Sequence, residues 1–261
     1  MAQTVASQLH TVVELACENL GFAYGSKFIF KDCNLKTTKD EFVAIIGPTG
    51  TGKSTLLRTL AHLIPATVGH VFLAGEEVRS PSPEIALIHQ SIATFPWMTA
   101  LDNVRLAVMG TLNKKEAGEV SARMLDLVGL SAFRDDYPKE MSGGMRQRVA
   151  IARALAASPA ILLMDEPFVH LDELTADVLR NEIYSLVFNP ETSLKSAILV
   201  SHNLHEVVQL ADRVYVMNGI PATIVDEIRI DLPRPRSERD PRFYDCVEHL
   251  YKELNIKPDR V

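Results

Sequence analysis

One segment of the 261-residue sequence has the residue types and spacing for phosphate chemistry: Gly47-Pro48-Thr49-Gly50-Thr51-Gly52-Lys53-Ser54. It fits G-x-x-x-x-G-K-[ST], where glycines let backbone N–H groups turn inward on phosphate oxygens and the lysine reaches the β- and γ-phosphates. Ser54 is then a candidate Mg²⁺ ligand, and the helix opening there adds the positive end of its dipole. Such a cation needs a carboxylate from the end of a neighbouring strand. Asp165 supplies it after the apolar run Ile161-Leu162-Leu163-Met164, and the adjacent Glu166 stands where a carboxylate could hold an attacking water. A second anion-friendly helix start is written at Met141-Ser142-Gly143-Gly144-Met145-Arg146-Gln147. Ser142 is a fitting N-cap, and the paired glycines leave backbone amides open.

Elements must position these groups. Phe42-Val43-Ala44-Ile45-Ile46 is a continuous apolar run breaking into the glycine loop, the pattern of a parallel strand buried on both faces. Residues 54–64 follow with apolar side chains close to a 3.6 period, and Pro65 marks the expected helix end. Buried runs at 85–88, 161–164, 197–200 and 214–217, with helical patterns at 172–187 and 204–211 among the later ones, predict a layered α/β sheet. Residues 99–157 show helical spacing and no convincing strand, so an all-helical insertion between sheet strands is expected. Ahead of these lie short β pieces, 12–18 and a hairpin around Gly25-Ser26. From about Ile220 the pattern weakens, and Pro233, Pro235 and Pro241 among charges predict an extended connector before a short helix at 243–254.

Composition narrows the function classes. Hydrophobic residues at 47% and charged residues at 23% are ordinary for a folded protein, and 261 residues suffice for a sizeable core. A net charge of −6 argues against nucleic acid as a main partner, because such binding rests on clustered Lys and Arg. No apolar run approaches the roughly 18–20 residues of a membrane span, and residues 1–10 lack a signal-peptide pattern, so a cytosolic location is expected. Cys17, Cys33 and Cys246 are scattered and read as reduced thiols. His202 and His205 lack the further ligands a metal site would need.

The glycine loop, Asp165-Glu166 and the Ser142-Gly143-Gly144 start, taken together, resemble the motif set of the ATP-binding-cassette (ABC) transporter ATPases, over roughly residues 15–217. The resemblance implies an α/β fold: a P-loop NTPase core sheet with an N-terminal antiparallel β subdomain and an inserted α-helical subdomain. The nucleotide-binding core would take 12–90 and 158–218, the helical subdomain 91–157 and a C-terminal extension 219–261. ATP would contact Tyr24, which stacks on adenine in this family, then Gly47, Pro48, Thr49, Gly50, Thr51, Gly52, Lys53, Ser54 and Thr55, and also Ser142, Gly143, Gly144, Gln147 and Asp172. Ser54, Gln90 and Asp165 would meet Mg²⁺. Catalysis would fall to Glu166, to His202 as the switch histidine, to Gln90 of the Q-loop and to Lys53. Val169-His170-Leu171-Asp172 resembles the D-loop, with His170 where a small residue is usual; Asn203 replaces a usual Asp, and Thr51 a usual Cys or Ser.

The same resemblance implies partners. A second copy would bind head to tail, each ATP lying between one chain's glycine loop and the other's Ser142 helix start. An integral membrane permease would dock on the helical insertion, and a solute-binding protein would act indirectly, with this chain peripheral on the cytoplasmic face of the membrane. Phe95-Pro96-Trp97-Met98-Thr99 is the candidate docking edge, with Trp97 as an anchor of the insertion's own core as the alternative. The run from Pro96 to Val104 and Leu232-Pro233-Arg234-Pro235-Arg236 resemble the importer subfamily for nitrate, sulfonate and taurine; a non-transport cassette ATPase, as in iron–sulfur assembly, or an importer of another solute class would share the other motifs.

Overall fold

The computed structural model describes residues 13–169, 171–190 and 192–254. Two long strands, β1 (Val13–Tyr24) and β2 (Lys27–Thr38), form an antiparallel hairpin closed by Gly25-Ser26, with Tyr24 opposite Lys27. β1 therefore runs six residues beyond the short piece expected to end at 18, and Val12 lies outside the described residues. β3 (Glu41–Ile46) leads to α1 (Lys53–Leu60), followed by β4 (Val68–Leu73), β5 (Glu76–Glu77) and β6 (Ile85–Ile88). Three helices come next, α2 (Ala100–Arg105), α3 (Lys114–Leu127) and α4 (Gly143–Ala156), without a strand among them. β7 (Ile161–Asp165), α5 (Glu173–Val187), β8 (Ser196–Val200), α6 (Leu204–Leu210), β9 (Arg213–Gly219), β10 (Ala222–Arg229) and α7 (Pro241–Leu254) complete the order.

The strands form one ten-stranded sheet in the order β5-β4-β1-β2-β10-β9-β3-β8-β7-β6. β9, β3, β8, β7 and β6 are mutually parallel, whereas β1, β2, β4 and β5 pair antiparallel. The parallel strands bury every other side chain on opposite faces, as their period of two requires. Leu162, Met164, Ala197 and Leu199 join Val104, Leu125, Val149 and Ile183 of the helices on one face. Leu163, Ile198, Val43 and Ile45 join Leu56, Leu57 and Leu60 of α1 and Leu20 and Phe30 of the hairpin on the other. Covering both faces explains why these strands read as unbroken apolar runs.

Two sequence expectations need correction. α1 stops at Leu60, four residues before the expected end at Ile64, because His62 turns left-handed (φ 54°) and Leu63 N–H reaches back to the Arg58 carbonyl. The segment after Ile220 is not a connector at first: β10 pairs antiparallel with β9 from Ala222 to Arg229. Only Ala222 and Ile228 of that strand are buried, so it carries little periodicity. Beyond it, Ile230, Leu232 and the α7 residues Phe243 and Leu250 close a third core cluster over α6, where Val207 and Val208 meet Ala44 and Ile46 of β3. Among the described residues no helix is long and apolar enough to cross a membrane.

Candidate functional site

The loop between β3 and α1 is shaped by two close approaches. A Cβ on Gly47 would lie 2.2 Å from the Met217 carbonyl oxygen of neighbouring β9, and Gly52 (φ 90°) sits against Ile29 and Phe30 of β2. Gly50 (φ 86°) faces open space, its left-handed backbone being what glycine adopts without strain. The Thr51 hydroxyl closes the loop on the Pro48 carbonyl (2.9 Å). Lys53 is buried, and its ammonium donates to the carbonyls of Gly47 (2.8 Å) and Pro48 (2.9 Å). Burial lowers its pKa, while Glu166 and Asp165 pull it back up. Thr49 and Gly50 are exposed, and Ser54 and Thr55 are half-buried on the first turn of α1.

β7, two strands away from β3 across β8, delivers the acids. Ser54 Oγ donates to Asp165 Oδ1 at 2.9 Å, joining the glycine-loop helix to the strand end. Burial pushes the Asp165 carboxyl up, the Ser54 bond opposes this, and the Glu166 charge adds to it. A hydroxyl and a carboxylate at this separation are hard oxygen donors of the kind Mg²⁺ takes, and a carboxylate whose charged form burial disfavours fits a cation there. Glu166 adopts a left-handed backbone (φ 48°), with its N–H on the Val200 carbonyl (2.9 Å). Its side chain is gripped from two sides: Gln90 Nε2 donates to Oε2 at 2.7 Å, and His202 Nδ1 lies 3.1 Å from Oε1. Four expected residues, Ser54, Asp165, Glu166 and Lys53, thus share one neighbourhood, and two distant ones, Gln90 and His202, converge on Glu166.

The others are placed differently. Tyr24 ends β1 with its ring 64% exposed and edge-on to Phe22 (4.9 Å), on the hairpin whose second strand flanks Gly52. Ser142 caps α4, its Oγ accepting from Met145 N–H (3.2 Å), and Gly143 has open space where a side chain would stand, as half-buried Gly144 follows. Among the described residues no hydrogen bond links this helix start to residues 47–54. Gln147 departs from the expected nucleotide contact: it is fully buried, and its amide donates to the Pro167 carbonyl (2.8 Å), tying α4 to the residue after Glu166. Asp172 caps α5, accepting from Thr175 N–H (3.0 Å) and its hydroxyl (2.7 Å), which holds its pKa down. His170 lies outside the described residues. Asn203 caps α6 through Oδ1, taking His205 N–H at 3.0 Å, a role an Asn fills as well as an Asp.

Sequence reasoning missed a polar group behind Glu166 and His202. Arg180 of α5 is 2% exposed and bonds Glu206 of α6, whose other carboxylate oxygen accepts from Ser201 (2.7 Å). A signal existed, since an arginine four residues after buried Ala176 falls on the core side of α5. Trp97 stands 69% exposed, which removes the alternative of a core anchor, and its ring tilts against Phe95 (5.5 Å). Phe95, Ile85, Leu87, Leu106 and Arg153 line a groove of about 530 Å³ between β6 and the inserted helices.

A phosphate-binding loop joined to a strand-end acid pair defines a nucleoside triphosphatase of the P-loop class. The family model for the ABC transporter matches residues 30–169. An uncharacterized ABC transporter ATP-binding protein of Methanocaldococcus jannaschii is 39% identical over 254 residues, covering 95% of this chain and 93% of that one. The nitrate import ATP-binding protein NrtD of Synechocystis sp. is 38% identical over 236 residues, 87% of this chain and 88% of that protein. Among solved structures, a dimeric ATP-binding cassette in a post-hydrolysis state, bound to ADP and Pi, matches with a TM-score of 0.74 at 27% identity over 84% of this chain and all of that one. The chain belongs to the ABC transporter family as an ATP-binding cassette that hydrolyses ATP for transport. Its sheet is the ABC ATPase fold, antiparallel among β5, β4, β1 and β2 and parallel around the glycine loop.

Proposed function

We propose that this cassette drives an importer of a small anion of the nitrate, sulfonate or taurine kind, as a head-to-tail pair of copies docked on a permease at the cytoplasmic face of a membrane. The observation that carries the hydrolytic part is the Glu166 carboxylate held between Gln90 (2.7 Å) and His202 (3.1 Å), beside the Ser54–Asp165 pair. The nitrate import relative at 38% identity supports the substrate class. Dimeric assembly of the solved cassette supports the pairing.

In this reading the residues 47–52 wrap the phosphates with backbone N–H groups, and Lys53 exchanges the Gly47 and Pro48 carbonyls for phosphate oxygens. Ser54, Asp165 and Gln90 would hold Mg²⁺, which would supply charge neutralisation at the phosphates. Glu166 orients the attacking water and takes its proton, while His202 stays at the γ-phosphate end and stabilises the charge that develops. Tyr24 offers its exposed ring to the adenine. The second copy completes the site with Ser142 and the open amides of Gly143 and Gly144, so neither copy alone is a finished enzyme. The core, 12–90 and 158–218, closes on nucleotide and carries the helical part, 91–157, with it. The groove beside exposed Trp97 and Phe95 would receive a cytoplasmic helix of the permease.

Copurification of the tagged chain from its native membrane tests this directly. The expected result is a permease together with a solute-binding protein that retains a small inorganic or sulfonated anion. A chain that hydrolyses ATP but is recovered with no membrane subunit would overturn the transport assignment, and a bound amino acid or sugar would overturn the anion class.

A further inference from the structure

Behind the Glu166–His202 pair lies a cation that the proposed mechanism does not use. Arg180 is 2% exposed, yet beyond its own helix it reaches two chain segments that bear on the reaction. Its Nη1 donates to Glu206 Oε1 (3.2 Å), its Nη2 to Glu173 Oε1 and Asp177 Oδ1 (both 2.5 Å), and its guanidinium lies over the Phe168 ring at 5.8 Å. Phe168 is buried two residues after Glu166. Glu206 is the more informative partner. Its second oxygen accepts from Ser201 Oγ (2.7 Å), and the same Ser201 Oγ accepts from Asn203 N–H (3.0 Å). The residues on either side of His202 are therefore both tied, through one hydroxyl, to a carboxylate that Arg180 holds. His202 itself is exposed and owes its place to that frame, since among the described residues the polar partner of its ring is Glu166.

We infer that Arg180 is a positioning residue for ATP hydrolysis, holding the His202 loop through Glu206 and Ser201 and the Glu166 segment through Phe168, so that imidazole and carboxylate stay in register. The geometry favours this over simple helix packing. Packing alone would be served by an apolar side chain at this point of α5, as at Leu179 and Ile183. Burying a guanidinium costs several kcal/mol unless its partners are well placed, and two of its three acids, Glu173 and Asp177, are exposed and could pair at the surface without it. The third, Glu206, is nearly buried and faces the His202 loop. Together Phe168, Glu173, Ser201, His202 and Glu206 border a polar cavity of about 220 Å³ next to Glu166, so a shift of the loop has room to occur.

The inference rests on Glu166 and His202 acting as proposed, and the test separates the two. In the full chain, Arg180→Met strands Glu206 and is expected to lower both stability and turnover. Arg180→Met combined with Glu206→Gln removes the stranded charge and restores the melting midpoint to near that of the wild type. If Arg180 positions the loop, kcat of this double variant stays down roughly 10- to 100-fold, the range a misplacement of about 1 Å produces, while KM for ATP is unchanged because residues 47–54 are untouched. Recovery of kcat along with stability would overturn the inference and leave Arg180 a packing residue. A parallel fall in ATP affinity would overturn it too, by showing a collapse of the whole site. Glu166→Gln, assayed alongside, must abolish turnover; if it does not, the failure lies with the catalytic assignment and not with Arg180.

Discussion

Arg236 offers a sharp test of how the C-terminal segment is built into the cassette. It is 2% exposed, and its guanidinium donates to the carbonyls of Val208 (2.6 Å), Ala211 (2.5 Å), Ile230 (3.2 Å) and Leu232 (3.2 Å), with Asp212 at 3.5 Å. Val208 and Ala211 are the end of α6, so this side chain caps the helix that follows His202. Burial, and then the nearby Arg234 charge, lowers its pKa to about 10, which leaves it a cation at neutral pH. Arg236→Met keeps the length and removes the donors. Four independent charged bonds would be worth roughly 6–12 kcal/mol, but the variant also escapes the cost of burying a cation, so removal of one side of a buried charged network, about 3–5 kcal/mol, is the better scale. Against a typical domain stability of about 5–15 kcal/mol, equilibrium urea unfolding should show a large fall in midpoint at unchanged slope. A loss below about 1 kcal/mol would refute this reasoning and mean that water replaces the guanidinium at those carbonyls.

Other consequences are smaller in scope. Burial raises the Asp165 carboxyl, so the folded chain holds a proton the unfolded chain releases, and stability falls as pH rises from the unfolded pKa through the folded one. Asp165→Asn should therefore melt above wild type at pH 7 without nucleotide, yet lose the stabilisation of about 2.7 kcal/mol that Mg-ATP at 100 times its Kd gives wild type; thermal unfolding with and without Mg-ATP reads both. Gly47→Ala drives a Cβ to within 2.2 Å of the Met217 carbonyl, a backbone atom that cannot yield, and calorimetric titration should find ATP affinity down at least tenfold, about 1.4 kcal/mol. Gly50→Ala has open space and only backbone strain, so its loss should be smaller. Trp97→Ala, at a 69% exposed site, should change stability by no more than about 0.5 kcal/mol and leave basal ATPase intact while the permease no longer copurifies.

What could be read in advance was local. The glycine loop, the acid pair and the Ser142 cap each sit in a few consecutive residues, and their spacing is itself the chemistry. Doubly buried strands were legible because Phe42 to Ile46 and Leu162 to Met164 are apolar at every position. β10 was not, because half of it faces solvent and its polar residues, Asp226 and Glu227, mimic a loop. Gln147 sits in the signature segment, but its burial against Pro167 depends on how α4 packs on β7, which no spacing records. Arg180 and Glu206 are 26 residues apart, and nothing short of the fold brings their charges together. Arg234 and Arg236 resemble one importer branch in sequence, and the fold gives them a physical role as well. Both bind the last carbonyls of α6, with Arg234 stacked on Tyr184 at 4.4 Å.

The decisive measurement is the association state of Glu166→Gln with Mg-ATP, followed by light scattering alongside phosphate release. Gln replaces the carboxylate and leaves the Ser54–Asp165 and Lys53 hydrogen bonds, none of which involves Glu166, in place, so nucleotide should still bind and, unhydrolysed, hold two copies together. The expected result is a stable dimer that forms only with ATP and releases phosphate at least 100-fold more slowly than wild type, within the range for loss of a general base. A variant that stays monomeric in saturating Mg-ATP, or one that turns over near the wild-type rate, would contradict the central claim that Glu166 activates water in a nucleotide shared between two cassettes.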